Sequence, residues 1–293
     1  MFYVLHLGLS YACNMKCKHC FVRKKEDRLK EEDYYRIIDA MCEKGLFVMY
    51  YTFGEPLCSS LFEKVSQYAC KKNIVQVLMT NGSLLDERII SVLIRNRISK
   101  VCISLDHIDS NMHDINRDYK DAYVKAIDAL HLLIKYNINA QISVTVNDTN
   151  VFCLNQIYEL AKELNVNAVS FLRERNNKNV TIMQHEKAYF EFFRSKKYKY
   201  EKPNLLFHDY RLLPILKEMK EKNEISDLIY EKYYEMNCCH SCYTISVEPN
   251  GDVKRCNLNS RIIGNVLNKP IDIIVMEEMS NNECFDNCAT VSK

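Results

Sequence analysis

Short apolar or β-branched runs punctuate the first 175 residues, at 3–9, 46–52, 74–79, 101–105, 140–146 and 166–172. Between them apolar side chains recur at helical spacing. Tyr34, Ile37, Ile38, Met41 and Cys42 form one stripe, with Gly45 where a helix C-cap belongs. Leu61, Phe62, Val65, Tyr68 and Ala69 form a second; Tyr123, Ile127, Leu130 and Ile134 a third; Leu154, Ile157, Ala161 and Leu164 a fourth. Six strands separated by helices predict a parallel sheet of right-handed βαβ units. Strand alternation puts His6, Gly8 and Ser10 on one face of the first run. It likewise groups Cys102, Ser104 and Asp106 on the fourth run, and Gln141, Ser143 and Thr145 on the fifth. A parallel sheet covered on both sides is apolar on both. One polar face therefore predicts an α/β fold of the partial (β/α)6 TIM-barrel type, with a ligand-holding interior, ahead of an open doubly wound sheet.

The pattern changes after residue 175. Residues 176–179 read as a loop, followed by Tyr-rich helical stretches broken by Pro203 and Pro214. These predict a helical connector, 176–235, packed on the barrel. Residues 236–293 shift to cysteine, glycine and short strands, which predicts a small cysteine-rich α+β domain stapled by metal.

Composition narrows the setting. A net charge of +2 over 293 residues supplies no nucleic-acid footprint. The opening apolar run, Phe2 to Leu7, is too short to span a membrane and lacks a basic leader or cleavage site. A cytoplasmic protein without nucleic-acid or membrane partners is expected. Direct entry into the first strand also implies that no leader-recognition domain precedes it. In a reducing compartment the 14 cysteines point to metal or catalysis rather than disulfides. Cys42, Cys58, Cys70, Cys102 and Cys153 are scattered, as small buried hydrophobes are; Cys58 and Cys102 would be thiyl donors only if they faced the cavity.

Cys13, Cys17 and Cys20 give C-x3-C-x2-C directly after the first strand, at the mouth where barrel ligands bind. Three thiolates can hold three irons of a [4Fe–4S] cubane and leave the fourth for a non-protein ligand. A Cys3His zinc site using His19 competes, although His19 adjoins Cys20 and strains a shared tetrahedron.

This C-x3-C-x-aromatic-C loop resembles the signature of the radical S-adenosylmethionine (SAM) superfamily, with His19 in place of the usual Phe or Tyr. The resemblance implies that SAM chelates the open iron. Its reductive cleavage there yields a 5′-deoxyadenosyl radical that abstracts hydrogen from substrate. Thr52-Phe53-Gly54-Glu55-Pro56 resembles the family's G-G-E-P, with Phe53 replacing the first glycine. Met79-Thr80-Asn81-Gly82 resembles its T-N-G, and Ser104-Leu105-Asp106 with His113, Asp114 and Arg117 its S-L-D-G…H-D…R, with His107 replacing the glycine. By that likeness His19, Gly54, Glu55, Pro56, Asn81, Ser104 and Arg117 contact SAM.

Towards the C-terminus stand Cys238, Cys239 and Cys242, then Pro249-Asn250-Gly251-Asp252, a hairpin turn, then Cys256. Ile263-Gly264-Asn265-Val266 and the pair Cys284 and Cys288 follow. The order resembles the SPASM and twitch auxiliary-cluster domains, and implies a second [4Fe–4S] cluster on Cys238, Cys256, Cys284 and Cys288. Cys239 or Cys242 remain open as the first ligand, and a zinc knuckle as the alternative. Radical SAM enzymes with such a domain imply maturation of a ribosomally made peptide by cross-linking, epimerisation or oxidation. The runner-up is oxidation of an aminoglycoside- or sugar-like molecule, or a cofactor-biosynthesis step; a non-catalytic zinc protein is the reading from another class. The first reading implies a flavodoxin or ferredoxin as electron donor and a separate leader-peptide-binding protein as partner.

Overall fold

A computed structural model describes residues 3–22, 25–176, 179–180, 183–196, 202–237, 244–255 and 261–280. The predicted runs become β1 (Tyr3–Gly8), β2 (Leu46–Thr52), β3 (Val75–Thr80), β4 (Ile98–Ser104), β5 (Ala140–Val146) and β6 (Ala168–Arg173), all parallel neighbours in that order. Helices cover their outer side: α1 (Glu31–Glu43), α2 (Phe62–Lys71), α3 (Glu87–Arg95), α4 (Ser110–Arg117), α5 (Ala122–Lys135) and α6 (Leu154–Glu163). Asp86 caps α3 by accepting from Ile89 N, and Asp109 caps α4 by accepting from Met112 N. A two-stranded hairpin, β7 (Arg175–Asn176) and β8 (Asn179–Val180), stands apart.

The segment read as a helical connector contains α7 (Glu186–Ser195), α8 (Leu213–Glu221) and α9 (Asp227–Asn237). It also contains a strand that periodicity missed. β9 (Asn204–His208) pairs in parallel with β6, from Ala168 opposite Asn204 to Leu172 opposite His208. The run is short and follows Pro203, so it carries little alternation of its own. Packing holds it: the fully buried Phe207 ring stacks on Phe171 at 5.1 Å and meets Phe193 edge-on at 4.8 Å. The Tyr- and Phe-rich stretches of the helical connector thus close an aromatic core, and β9 extends the six-stranded wall beyond β6.

At the other edge β10 (Thr244–Val247) joins β1 in parallel, while β11 (Asp252–Lys254) and β12 (Ile262–Asn265) continue antiparallel, followed by α10 (Ile271–Ser280). One ten-stranded sheet results, in the order β12-β11-β10-β1-β2-β3-β4-β5-β6-β9. Among the described residues no pairing joins β9 to the β10–β12 edge, so the barrel stays open there.

The two faces of the wall divide as alternation requires. Leu5, Leu7, Met49, Tyr51, Leu78, Val101, Ile103, Ile142, Val144, Val169 and Phe171 are sealed under the helices. The registers carry the polar rows around the opposite face: His6 beside Tyr50, Cys102 beside Gln141, and Ser104, Ser143 and Ser170 in one tier. The interior is therefore polar. Among the described residues no helix is long and apolar enough to cross a membrane.

Candidate active site at the barrel mouth

The loop after β1 carries Cys13, Cys17 and Cys20 as free thiols, the first two half-buried and the third exposed. The loop is anchored at both ends. Ser10 Oγ donates to Asp27 and accepts from Ala12 N at 2.9 Å, and Tyr11 N donates to Asp27 Oδ1 at 2.8 Å. Met15, 3% exposed, plugs the core, and Lys18 N donates to the Asn116 carbonyl at the end of α4 at 2.9 Å. Cys13 and Cys17 sense each other electrostatically, as do Cys17 and Cys20. Burial pushes the Cys13 and Cys17 thiols up; Arg117, whose Nη1 lies 3.7 Å from Cys17 Sγ, opposes this at Cys17.

This donor set fits a cubane with one open iron. Each cubane thiolate meets a different iron, so the sulfurs need not converge on one point. Among the described residues no three His, Cys, Asp or Glu side chains do converge as a one-ion site would require. The His19 ring turns to Asp106, with Nε2 3.7 Å from Oδ2.

The end of β2 meets this loop through Gly54. Its backbone sits at φ +51°, and a Cβ there would stand 2.3 Å from the Ala12 carbonyl and 2.6 Å from that of Ser10. Only glycine lets the strands approach so closely. Phe53 also lies at positive φ, 62°, the conformation that a glycine adopts freely. Its ring meets Tyr11 edge-on at 6.4 Å.

Glu55 is 2% exposed, and both carboxylate oxygens are already engaged. Oε1 accepts from Thr80 Oγ1 at 2.7 Å and Leu57 N at 3.2 Å, and Oε2 from Asn81 N at 2.8 Å. Burial pushes its carboxyl up, against these bonds. Glu55 thus braces the β2 loop against the β3 loop, with Pro56 buried in the turn it caps. Asn81 extends the brace: Nδ2 donates to Asn14 Oδ1 at 2.9 Å, and Asn14 Nδ2 donates to Ser83 Oγ at 2.7 Å. Ser104 stands half-buried on the inner face at the end of β4.

Asp106 is the residue that motif matching left without a role. Only 1% exposed, it gathers His19, Arg117 and His113 around one carboxyl. Arg117 Nη2 lies 2.5 Å from Oδ2 in a buried ion pair, Thr145 N donates to Oδ1 at 2.8 Å, and Asp106 N donates to His113 Nδ1 at 3.2 Å. Burial disfavours the anion, but Arg117 and then the two imidazoles outweigh it and hold the carboxyl below its usual range. The sequence signal was its place on the same face as Cys102 and Ser104. The cysteines expected to hold an auxiliary cluster, Cys238, Cys256, Cys284 and Cys288, and the alternatives Cys239 and Cys242 all lie outside the described residues.

Residues 8–161, more than half of the chain, match the family model for the radical SAM superfamily. Among curated relatives, Fe-coproporphyrin III synthase of Methanosarcina barkeri is 30% identical over 168 residues, 56% of this chain and 42% of its own. The subtilosin biosynthesis protein AlbA of Bacillus subtilis is 25% identical over 267 residues, 85% of this chain and 54% of its own. The chain thus spans about half the length of these relatives. Among solved structures, Streptococcus suis SuiB bound to the precursor peptide SuiA superposes over 93% of this chain and 64% of its own. The TM-score is 0.75 at 15% identity, a likeness of fold.

Proposed function

The chain belongs to the radical SAM superfamily, and on that premise we propose that it matures a ribosomally made peptide by cross-linking, epimerising or oxidising a residue. Membership implies a [4Fe–4S] cluster and SAM, which together supply one-electron hydrogen abstraction when bound. Cys13, Cys17 and Cys20 would hold the cluster. Around SAM, the backbone at Gly54 and Pro56 offers close approach, and Asn81, Ser104, Arg117 and the His19 ring stand at the mouth. Glu55 would contact SAM from the loop it braces. The residues of the mouth orient and seal; the radical chemistry is the cofactor's.

The observation that carries the peptide reading is the extent of likeness to AlbA. It runs over 267 residues, past the barrel, whereas the Fe-coproporphyrin III synthase match spans 168. That second relative supports the other reading, a cofactor-biosynthesis step. We assign the C-terminal segment to a SPASM- or twitch-like domain with a second [4Fe–4S] cluster on Cys238, Cys256, Cys284 and Cys288. A flavodoxin or ferredoxin would be the electron donor, a separate leader-binding protein the partner, and the cytoplasm the location.

Anaerobic reconstitution tests the cluster content. About eight irons per chain should fall to about four in the Cys13/Cys17/Cys20→Ala variant; four falling to none removes the second cluster. For the substrate, the reduced enzyme and SAM are incubated with the short peptide encoded nearest its gene and analysed by mass spectrometry. A mass change or a deuterium-exchanged α-carbon supports maturation. An unmodified peptide alongside turnover of a tetrapyrrole favours the second reading.

A further inference from the structure

The lumen below the mouth holds polar groups that the loop network does not use. Lys100 pairs in register with Val77, and Cys102, two residues on, pairs with Gln141. Lys100, Cys102 and Gln141 therefore share the inner face. Lys100 and Gln141 are diagonal neighbours on that face of the parallel β4–β5 pair. Gln141 is 5% exposed, and its Oε1 has no hydrogen-bond partner among the described residues. Ser246, fully buried in register with His6, has an unpartnered Oγ, and Thr52 Oγ1 is likewise unpartnered. His208 projects from β9 in the tier of Leu172 and senses both Lys100 and Arg175. Burial first, and then those two cations, push its imidazole down to about 4, so it is neutral.

Lys100 makes no ion pair or hydrogen bond among the described residues. None of the acids of the mouth pairs with it among the described residues. Asp106 faces Arg117, Glu174 accepts from Asn147 Nδ2 at 2.6 Å, and Glu248 is held by Tyr11, Lys25 and Lys254. Lys100, half-buried and without an anion among the described residues, thus shares the inner face with a buried amide oxygen without a donor. A buried polar group left unpaired is costly. One ligand that satisfies both carries a carboxylate and an N–H together.

We propose that the lumen seats an acidic residue of the peptide substrate, its carboxylate on Lys100 and its amide N–H towards Gln141 Oε1. The assignment rests on the peptide-maturation reading for the N–H, but not for the carboxylate. Reconstituted, SAM-saturated enzyme is titrated with N-acetylglutamate methylamide, N-acetylglutamine methylamide and glutarate, with binding followed by ligand-observed NMR. The blocked glutamate should bind at least about tenfold more tightly than the blocked glutamine. Lys100→Met should erase that gap and Lys100→Arg restore it, while Gln141→Met should weaken the blocked glutamate and leave glutarate unchanged. Equal binding of the two blocked residues to wild type overturns the proposal, as does a gap that survives Lys100→Met. A Lys100→Met loss confined to SAM, read by equilibrium dialysis, overturns it too, because the ammonium would then serve SAM's own carboxylate. Glutarate binding as tightly as blocked glutamate, with both lost in Lys100→Met, keeps the acidic site and removes the peptide reading. Cluster absorbance and thermal unfolding check each fold, and Lys100→Gln carries the test should the methionine variant fail to fold.

Discussion

Gly54→Ala is the sharpest single perturbation of the cluster loop. The added methyl would stand 2.3 Å from the Ala12 carbonyl, whereas ordinary contact begins at 3.4 Å, so 3.4 − 2.3 gives a retreat of 1.1 Å. That carbonyl accepts from Glu55 N at 2.8 Å and immediately precedes Cys13. An L-residue held at positive φ costs about 1–2 kcal/mol, and the broken bond about 1–3 kcal/mol more if its partners stay buried. The sum, ~2–5 kcal/mol, corresponds to a fall in Tm of roughly 3–8 °C for a chain of this size. Gly82→Ala is the matched control. Gly82 lies at φ +81°, but its nearest obstacle is the Ala129 side chain at 3.1 Å, away from the cysteines. Iron per chain and Tm are measured for both variants, in a background where the C-terminal cysteines are alanine. Gly54→Ala should keep less than about half of the four irons, while Gly82→Ala keeps them. Wild-type iron in Gly54→Ala, with a Tm no lower than that of Gly82→Ala, would refute the claim that glycine sets the loop's position.

Acid should unfold the protein from about neutral downward. Burial first holds His6, His113 and His208 near 4, so each is neutral when folded and binds a proton only after unfolding below its ordinary 6.5. Their stability is complete above 6.5 and is lost as pH falls towards 4, at up to about 1.4 kcal/mol per pH unit each. Denaturant unfolding at several pH values reads this slope, and His208→Gln should lower it by up to about 1.4 kcal/mol per pH unit. Arg117→Met strands the Asp106 carboxylate in the core and should cost about 3–5 kcal/mol, part of which returns in the Arg117→Met/Asp106→Leu double variant; additive losses would deny the pairing. Tyr11→Phe removes the hydroxyl that donates to Glu248 and should cost about 1–3 kcal/mol by thermal unfolding. An unchanged Tm would show that the contact contributes nothing.

Much of the barrel could be read from local pattern because its strands are sealed on one side and polar on the other. The runs at 46–52 and 140–146 coincide with β2 and β5, and the other four lie within three residues of their strands. β9 escaped because its stability is not local: Asn204 to His208 alternates weakly, and Phe207 earns its place from rings supplied by β6, α7 and α9. The site divides the same way. Cysteine spacing, Gly54 and the Asn81 turn are local signals. Asp106 gathers partners from the cluster loop, β5 and α4, a convergence that only the folded wall creates. Glu55 carries the opposite lesson. Its motif suggested a ligand contact, and the fold adds a second task, bracing two loops through both of its oxygens.

The same reasoning bears on how the C-terminal strands relate to the cluster loop. β10 hydrogen-bonds to β1, the strand that delivers the three cysteines, and the turn after β10 lies directly on that delivery point. A Cβ at Gly8 would come within 2.7 Å of the Pro249 ring, so the last residue of β1 is glycine where the turn presses closest. Pro249 in turn accepts from Arg28 N and Leu29 N through its carbonyl, at 2.9 and 3.0 Å. Glu248 takes the Tyr11 hydroxyl, and Lys25 links Glu248 to Asp252 at 3.1 and 2.9 Å. Burial opposes the charge on Glu248, but Lys254, Tyr11 and Lys25 hold its carboxyl below the usual range, so the turn meets the loop as an anion among donors. Tyr11 and Glu248 stand 237 residues apart in sequence. Any shift of the hairpin is therefore transmitted to the residue two positions before Cys13, and the three-cysteine loop and the C-terminal sheet edge form one mechanical unit.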